Sequence, residues 1–146
     1  MNLQAFLPYR LAVVSEAVSR SLAAVYGERF NLSRDEWRIL AALALRDDIK
    51  STELAALTTL DKMQVSRALT RMERDGLLER EPDPSDRRNL IVRLLPAGRA
   101  LYRKIVPMAR AREAYLLESL DPQERATLSS ALDKLLDRAR QLQQQG

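Results

Sequence analysis

The sequence predicts a mainly α-helical protein with one small β-hairpin. Only 4 Gly and 6 Pro occur in 146 residues, which favours long regular elements, and hydrophobic residues make up 46% of the chain, enough to form a core. Apolar residues recur at spacings of three and four through most of the sequence, as in amphipathic helices. One stretch, Leu77 to Leu95, instead contains two strand-like segments around a loop rich in proline and charge.

The first helix is expected over residues 3–26, where a broad apolar stripe has helical spacing. Its width fits either packing in the core or packing against a second subunit. The stripe is formed by Leu7, Leu11, Val14, Val18, Leu22 and Val25.

A second helix is expected between Asn31 and Leu45, where Ser33 and Glu36 have the spacing of a capping box. Trp37, the only tryptophan, lies on its apolar face. It fits a structural role, and a place in the lining of a small-molecule pocket is the alternative.

Residues 46–50 are expected to form a polar connector, after which Ser51 caps a short helix from Thr52 to Leu57. The next helix begins at Asp61, whose capping-box partner is Gln64. It ends at Gly76, which can adopt the left-handed conformation common after a helix. Two short helices joined by a tight turn predict a helix-turn-helix.

The second of these helices is amphipathic. Val65, Leu69 and Met72 fall on one face and are expected to be buried, which leaves the polar side chains directed outwards. Strands at Leu77–Glu81 and Asn89–Leu95 then enclose a loop with two adjacent arginines. The whole pattern predicts a winged helix-turn-helix, whose helix can enter the major groove of DNA while the hairpin reaches the minor groove.

The remaining chain is expected to form two amphipathic helices. The first begins at Pro96 and reaches about Ser119, with an irregularity expected at Pro107. The second begins after Asp121. Together with the first helix they are expected to form a dimerisation lobe, because a palindromic duplex requires two reading modules at a fixed separation.

The amino-acid composition excludes several classes of function. The chain has no cysteine and no histidine, so disulfides, thiolate sites and the commonest general base are excluded, and neither an enzyme nor a metal or other cofactor is expected. A formal net charge of +4 suits a polyanionic partner. No apolar run is long enough to span a membrane and no secretory signal is recognisable, which predicts a cytoplasmic protein without membrane association.

The candidate DNA contacts lie on the outward face of the predicted reading helix, on the hairpin and at the start of the preceding helix. Arg67 is the preferred base contact, Lys62 and Arg87 suit phosphates, and Arg71 either contacts DNA or pairs with Glu73 or Asp75. Ser51 either offers its hydroxyl to a phosphate or only caps its helix. The predicted contacts are Ser51, Lys62, Gln64, Ser66, Arg67, Thr70, Arg71, Arg87 and Arg88.

Two segments, LTRMERDGLLER (Leu69 to Arg80) and DPSDRRNLIVRLLPAG (Asp83 to Gly98), resemble the MarR family of bacterial transcription regulators. The resemblance extends over residues 1–146, and it implies a winged-helix lobe at 33–95 and a helical dimerisation lobe formed by 1–30 and 96–146. It also implies a homodimer that binds palindromic operators, usually as a repressor, and that a small aromatic or phenolic ligand can release.

Carried onto this sequence, the resemblance makes Lys62 to Arg74 the recognition helix. Arg88 matches the wing arginine that enters the minor groove, and Asp86 matches the acidic residue that steadies it. Leu95 departs from the threonine that many members have there, and no ligand-binding residue can be transferred. The alternatives are a winged-helix module that binds protein, and an architectural DNA binder without an effector.

Overall fold

The computed structural model describes residues 1–145, so Gly146 lies outside the described residues. The elements are a 3-10 turn at Leu3–Ala5, α1 (Leu7–Phe30), α2 (Arg34–Leu45), β1 (Ile49–Lys50), α3 (Ser51–Thr58), α4 (Lys62–Arg74), β2 (Leu78–Pro82), β3 (Leu90–Leu94), α5 (Pro96–Leu117) and α6 (Pro122–Gln145). The predicted fold class, mainly helical with a small β wing, is confirmed.

The sheet has three strands, in the order β1-β3-β2 and antiparallel throughout. The polar connector predicted at residues 46–50 was therefore wrong in part, because Ile49 pairs with Val92 and Lys50 with Ile91. Two residues give too short a pattern for alternation to reveal a strand. Strand β1 directly precedes α3 in the chain, so its pairing with β3 connects the wing to the start of α3.

Helix α1 is shifted from its predicted bounds. It starts at Leu7, with Pro8 in its first turn, and continues to Phe30 instead of ending near residue 26. Asn31 ends it in the left-handed conformation at φ 55°, and the N–H groups of Asn31 and Leu32 donate to the carbonyls of Gly27 and Tyr26. The segment predicted for the second helix, Asn31 to Leu45, therefore begins with the residue that ends α1, and α2 itself begins at Arg34.

The described chain divides into two compact units, Met1–Ala109 and the segment from Arg110 onward. The lobe boundaries expected from the sequence stay a prediction. In the first unit, one apolar cluster joins α1, α2, α3, α4, the sheet and the part of α5 up to Ala109. Its fully buried members include Ile39, Leu40, Ile49, Met72 and Ile105. This cluster fixes α4 against α2 and the sheet.

The start of α5 packs tightly against the turn before β2. Gly98 is buried, and a Cβ atom there would overlap the carbonyl oxygen of Leu77. That same oxygen accepts a hydrogen bond from the N–H of Leu95 at 2.9 Å. Glycine is therefore required by close approach of two backbone segments.

Trp37 is half-buried in the first unit, between two tyrosines. Its ring stacks with Tyr26 at a centroid distance of 5.6 Å and with Tyr102 at 6.1 Å. Such contacts add to the apolar packing of α1, α2 and α5. This arrangement favours the structural role for Trp37.

The second unit contains the last turns of α5 and all of α6. A capping box opens α6, since Asp121 Oδ1 accepts from Glu124 N at 2.8 Å and Glu124 Oε1 accepts from Asp121 N at 3.0 Å. Arg125 Nε donates to the carbonyls of Leu117 and Leu120 and closes the end of α5. Helix α5 runs without a break through Pro107. Within residues 1–145 no helix combines the length and apolarity needed to cross a membrane.

Candidate nucleic-acid interface

Helix α4 is held by its own cap and by an apolar face. Asp61 Oδ1 accepts from Gln64 N at 2.8 Å, and Gln64 Oε1 accepts from Asp61 N at 3.0 Å, so the predicted capping box is present. Four residues of α4 are buried: Val65, Ala68, Leu69 and Met72. At the other end Gly76 has φ 75°. These contacts orient the opposite face of the helix outwards.

The outward face carries two unpaired cations. Lys62 and Arg67 are exposed and have no ion pair or side-chain hydrogen bond within residues 1–145. Ser66 and Thr70 are exposed beside them, and the Thr70 hydroxyl donates to the Ser66 carbonyl at 2.9 Å. Gln64 differs, because its side-chain oxygen is already used by the cap. The face can therefore present guanidinium, ammonium and hydroxyl groups to a polyanion.

Arg71 does not face outwards as freely as the other predicted contacts. Its Nη1 atom lies 3.5 Å from Oε1 of Glu36, a buried residue of α2. Pairing with Glu73 or Asp75, the alternative to a DNA contact, is not found: Arg80 pairs with Glu73 at 3.0 Å, and Arg74 lies 3.7 Å from Asp75. The partner of Arg71 is set by the packing of α4 on α2.

The wing loop, residues 83–89, is closed by its own hydrogen bonds. Asp83 N donates to Asn89 O at 3.2 Å, and Asn89 N donates to Asp86 O at 3.0 Å. The buried Asp83 carboxylate accepts from Ser85 N and Oγ, and Lys50 Nζ lies 3.3 Å from Asp83 Oδ2. The hydrogen bonds from Ser85 chiefly lower the pKa of Asp83. Glycine is absent from this loop, so its shape depends on these polar contacts and on proline.

Asp86 and Arg88 form a two-point ion pair on the loop. Arg88 Nε donates to Asp86 Oδ1 at 3.2 Å and Arg88 Nη2 donates to Asp86 Oδ2 at 3.3 Å. The side-chain hydrogen bond from Arg88 is the main cause that lowers the pKa of Asp86, and the same contact raises the pKa of Arg88. The Arg88 side chain is still 89% exposed, so it is oriented and remains accessible.

Arg87, the neighbouring residue, is exposed and without an ionic or hydrogen-bonded side-chain partner in the described part of the chain. It differs from Arg88 in having no carboxylate to orient it. An unbraced, solvated guanidinium suits a phosphate contact, as the sequence analysis expected.

Ser51 is not the cap of α3. The helix begins at Ser51, with Lys50 as the flanking residue, and the Ser51 hydroxyl accepts from Leu90 N at 3.1 Å. The cap comes from the wing instead: Asn89 Oδ1 accepts from Thr52 N at 3.1 Å. The predicted capping role of Ser51 was wrong, because the hydroxyl is engaged by a segment distant in the chain, while its predicted phosphate contact stays a prediction.

A groove of about 630 Å³ separates α4 from the wing. Lys62 and Ser66 line it from α4, and Arg88 lines it from the wing loop. Arg80 and Asn89 also line it, and neither residue was predicted from the sequence. Strand alternation places Arg80 on the same side of β2 as the buried Leu78. An arginine on the inward side of a strand is the feature of the sequence that could have identified this residue. Nothing local identified Asn89.

Sequence and structure comparisons connect this arrangement to known regulators. A sequence model described as MarR family matches residues 30–89. The homoprotocatechuate degradative operon repressor of Escherichia coli is 35% identical over 88 residues, which is 60% of this chain and 58% of that protein. The match covers only 61% of a second relative, the transcriptional repressor NicR of Pseudomonas putida, so it spans about three fifths of the length of both proteins.

Two solved structures are similar over nearly the whole chain. A MarR-family transcriptional regulator from Silicibacter pomeroyi is 30% identical with a TM-score of 0.79, covering 94% of this chain and 92% of that one. A cysteine-to-serine mutant of MarR from E. coli, solved in complex with operator DNA, is 25% identical with a TM-score of 0.79, covering 89% of this chain and 93% of that one.

Proposed function

Because the chain belongs to the MarR family, we propose that it is a sequence-specific DNA-binding transcription regulator that acts as a repressor. The proposal is carried by two cationic surfaces that flank one groove, which Lys62 of α4 and Arg88 of the wing both line. Helix α4 presents Arg67 and Lys62 without partners in residues 1–145, and the wing presents Arg88 held by Asp86. A helix of this kind fits the major groove, and an oriented arginine beside it fits the adjacent minor groove.

The roles within this surface differ by geometry. Arg67 is proposed to contact a base edge from the middle of α4, where a guanidinium can form two parallel hydrogen bonds with guanine. Lys62 and Arg87 are proposed to contact phosphates, because flexible and unbraced cations carry little sequence information. Arg71, already 3.5 Å from Glu36, is proposed as a secondary contact.

A homodimer is the second part of the proposal. Apolar residues of α1, including Leu7, Leu11 and Val14, are 46%, 42% and 59% exposed. On α6, Leu128, Leu132, Leu135 and Leu136 are between 40% and 48% exposed. Regular apolar stripes exposed on this scale are typical of surfaces covered by another subunit. Two copies could hold two α4 helices about 34 Å apart, the separation of half-sites one helical turn apart on a palindromic operator.

Release by a small aromatic ligand is the third part. Its support is the relative that represses an operon for degradation of homoprotocatechuate, itself an aromatic acid. A ligand that binds the free dimer better than the DNA-bound dimer would lower the affinity for DNA by the same factor. Release by a ligand would distinguish this protein from an architectural DNA binder, which has no effector.

The proposal is tested with duplex DNA selected by the purified chain from a random library, then compared with a scrambled duplex by fluorescence anisotropy. Specific regulators bind their sites at least about a thousandfold more tightly than unrelated DNA. Sedimentation of the complex reports whether two chains occupy one duplex. Equal affinity for both duplexes would reject sequence-specific regulation and favour a protein-binding winged helix or an architectural binder.

A further inference from the structure

Asn89 is the point where the wing loop meets the start of α3. Its side chain is buried, with only 7% of the residue exposed, although it lies in a loop of exposed arginines. Burying a carboxamide is costly unless its donor and acceptor groups are satisfied. Both groups of Asn89 are satisfied, and the two partners lie on different structural elements.

The acceptor side of Asn89 is directed at α3. Oδ1 accepts from Thr52 N at 3.1 Å and from the Ser51 hydroxyl at 3.4 Å. Asn89 therefore satisfies one of the free N–H groups at the start of α3. The flanking residue, Lys50, makes no side-chain hydrogen bond to that end of the helix.

The donor side of Asn89 is directed at the wing ion pair. Nδ2 donates to Asp86 Oδ2 at 3.1 Å, and Asp86 accepts from Arg88 through both carboxylate oxygens. The amide fits in one orientation only, because the Thr52 N–H can only donate and the ionised Asp86 can only accept. A continuous polar chain thus runs from α3 through Asn89 and Asp86 to Arg88.

We propose that Asn89 is a positioning residue for DNA binding, which joins α3 to the Asp86–Arg88 pair and so fixes Arg88 relative to the recognition helix. The proposal rests on the proposed function, since it concerns the same surface. Asn89 is too buried to contact DNA itself, and it acts by restricting the orientations of the loop before DNA binds.

The test is a double-mutant cycle with Asn89→Ala, Arg88→Ala and the double variant, measured by anisotropy on a duplex selected by the wild-type chain. Asn89→Ala is expected to weaken DNA binding about tenfold, because it removes one charge-assisted hydrogen bond and one helix cap. In the Arg88→Ala background the same substitution is expected to cost less than about twofold, because the residue that it positions is gone.

Ser85→Ala is the matched control, because it removes a wing-loop hydrogen bond to Asp83 without touching this chain of contacts. It is expected to leave affinity within about twofold of wild type. Hydrogen exchange of the free protein gives a second readout, with faster exchange at residues 83–89 in Asn89→Ala and unchanged exchange in α4.

Asn89→Asp provides a sharper variant, since it keeps the acceptor for Thr52 but places a second carboxylate oxygen against Asp86. It is expected to weaken binding at least as much as Asn89→Ala, because repulsion replaces a hydrogen bond. Equal losses from Asn89→Ala with and without Arg88 would overturn the positioning role. That result differs from failure of the proposed function, in which wild-type protein would not distinguish the selected duplex from a scrambled one.

Discussion

The Nη1 atom of Arg71 lies 3.5 Å from Oε1 of Glu36, a carboxylate that is only 2% exposed. Glu36 also accepts from Ser33 N at 3.1 Å as part of the capping box of α2. Its second oxygen has no hydrogen-bond partner within residues 1–145. Helix α4 is therefore anchored to the start of α2 by an ion pair to Glu36, whose buried carboxylate has no other ionic partner in residues 1–145.

Arg71→Ala should lower the free energy of unfolding by about 1–2 kcal/mol, less than for a fully buried pair because half-exposed Arg71 is partly screened by solvent. Thermal and urea denaturation measure the loss. In the Glu36→Gln background the same substitution should cost little, since the amide is neutral and can still accept from Ser33 N. An equal loss in both backgrounds would show that Arg71 stabilises the fold by another route.

Arg88→Ala should weaken binding to a selected duplex about tenfold or more, while circular dichroism and dimer size stay unchanged. The slope of the logarithm of affinity against the logarithm of salt concentration should flatten by about two for a dimer, because two cations leave the DNA. Arg20→Ala is the charge-matched control, as Arg20 lies on α1 and pairs with Glu16. Equal effects of the two variants would reduce the role of Arg88 to bulk charge.

Arg67→Lys separates base recognition from phosphate contact at one position. Lysine keeps the charge but lacks the planar fork that can form two hydrogen bonds with guanine. Affinity for the selected duplex should fall by about 1–3 kcal/mol, with little change for scrambled DNA. Competition anisotropy measures both affinities, and parallel losses on the two duplexes would assign Arg67 to a phosphate.

Gly98→Ala should destabilise the protein by about 2–3 kcal/mol, because the added methyl group overlaps the Leu77 carbonyl in a tightly packed interior. Gly76→Ala is the comparison: Gly76 has φ 75° and nothing within 4 Å of an added Cβ. That substitution should cost only about 1–2 kcal/mol of backbone strain. Denaturant midpoints measure both variants, and a smaller loss at Gly98 than at Gly76 would contradict the close approach.

DNA affinity should vary little between about pH 6 and 8, because the chain has no histidine. The pKa of Asp86 is lowered from its ordinary value of 3.8, so the carboxylate stays ionised through this range. Its pairing with Arg88 is fully present above the ordinary value and is lost only as the pH falls through the lower, folded-state pKa. Anisotropy titrations at constant ionic strength test this, and a steep change near neutral pH would point to a titrating group outside the wing.

The sequence by itself determined the features that depend on neighbours a few residues apart. The capping boxes at Ser33, Asp61 and Asp121, the left-handed Gly76, and the buried face of α4 all follow from local spacing. These features place Lys62 and Arg67 on the outward face, so the main part of the candidate interface was predictable.

Tertiary structure alone decided which distant groups meet. Strand β1 pairs with β3 through Ile49 and Val92, Arg71 turns to Glu36, and Asn89 reaches across to cap α3. Such contacts join segments far apart in the chain, and each partner has several chemically equivalent choices until the core fixes their positions. Side-chain type limits what a residue can bind, but packing of the helices and sheet determines which partner it has.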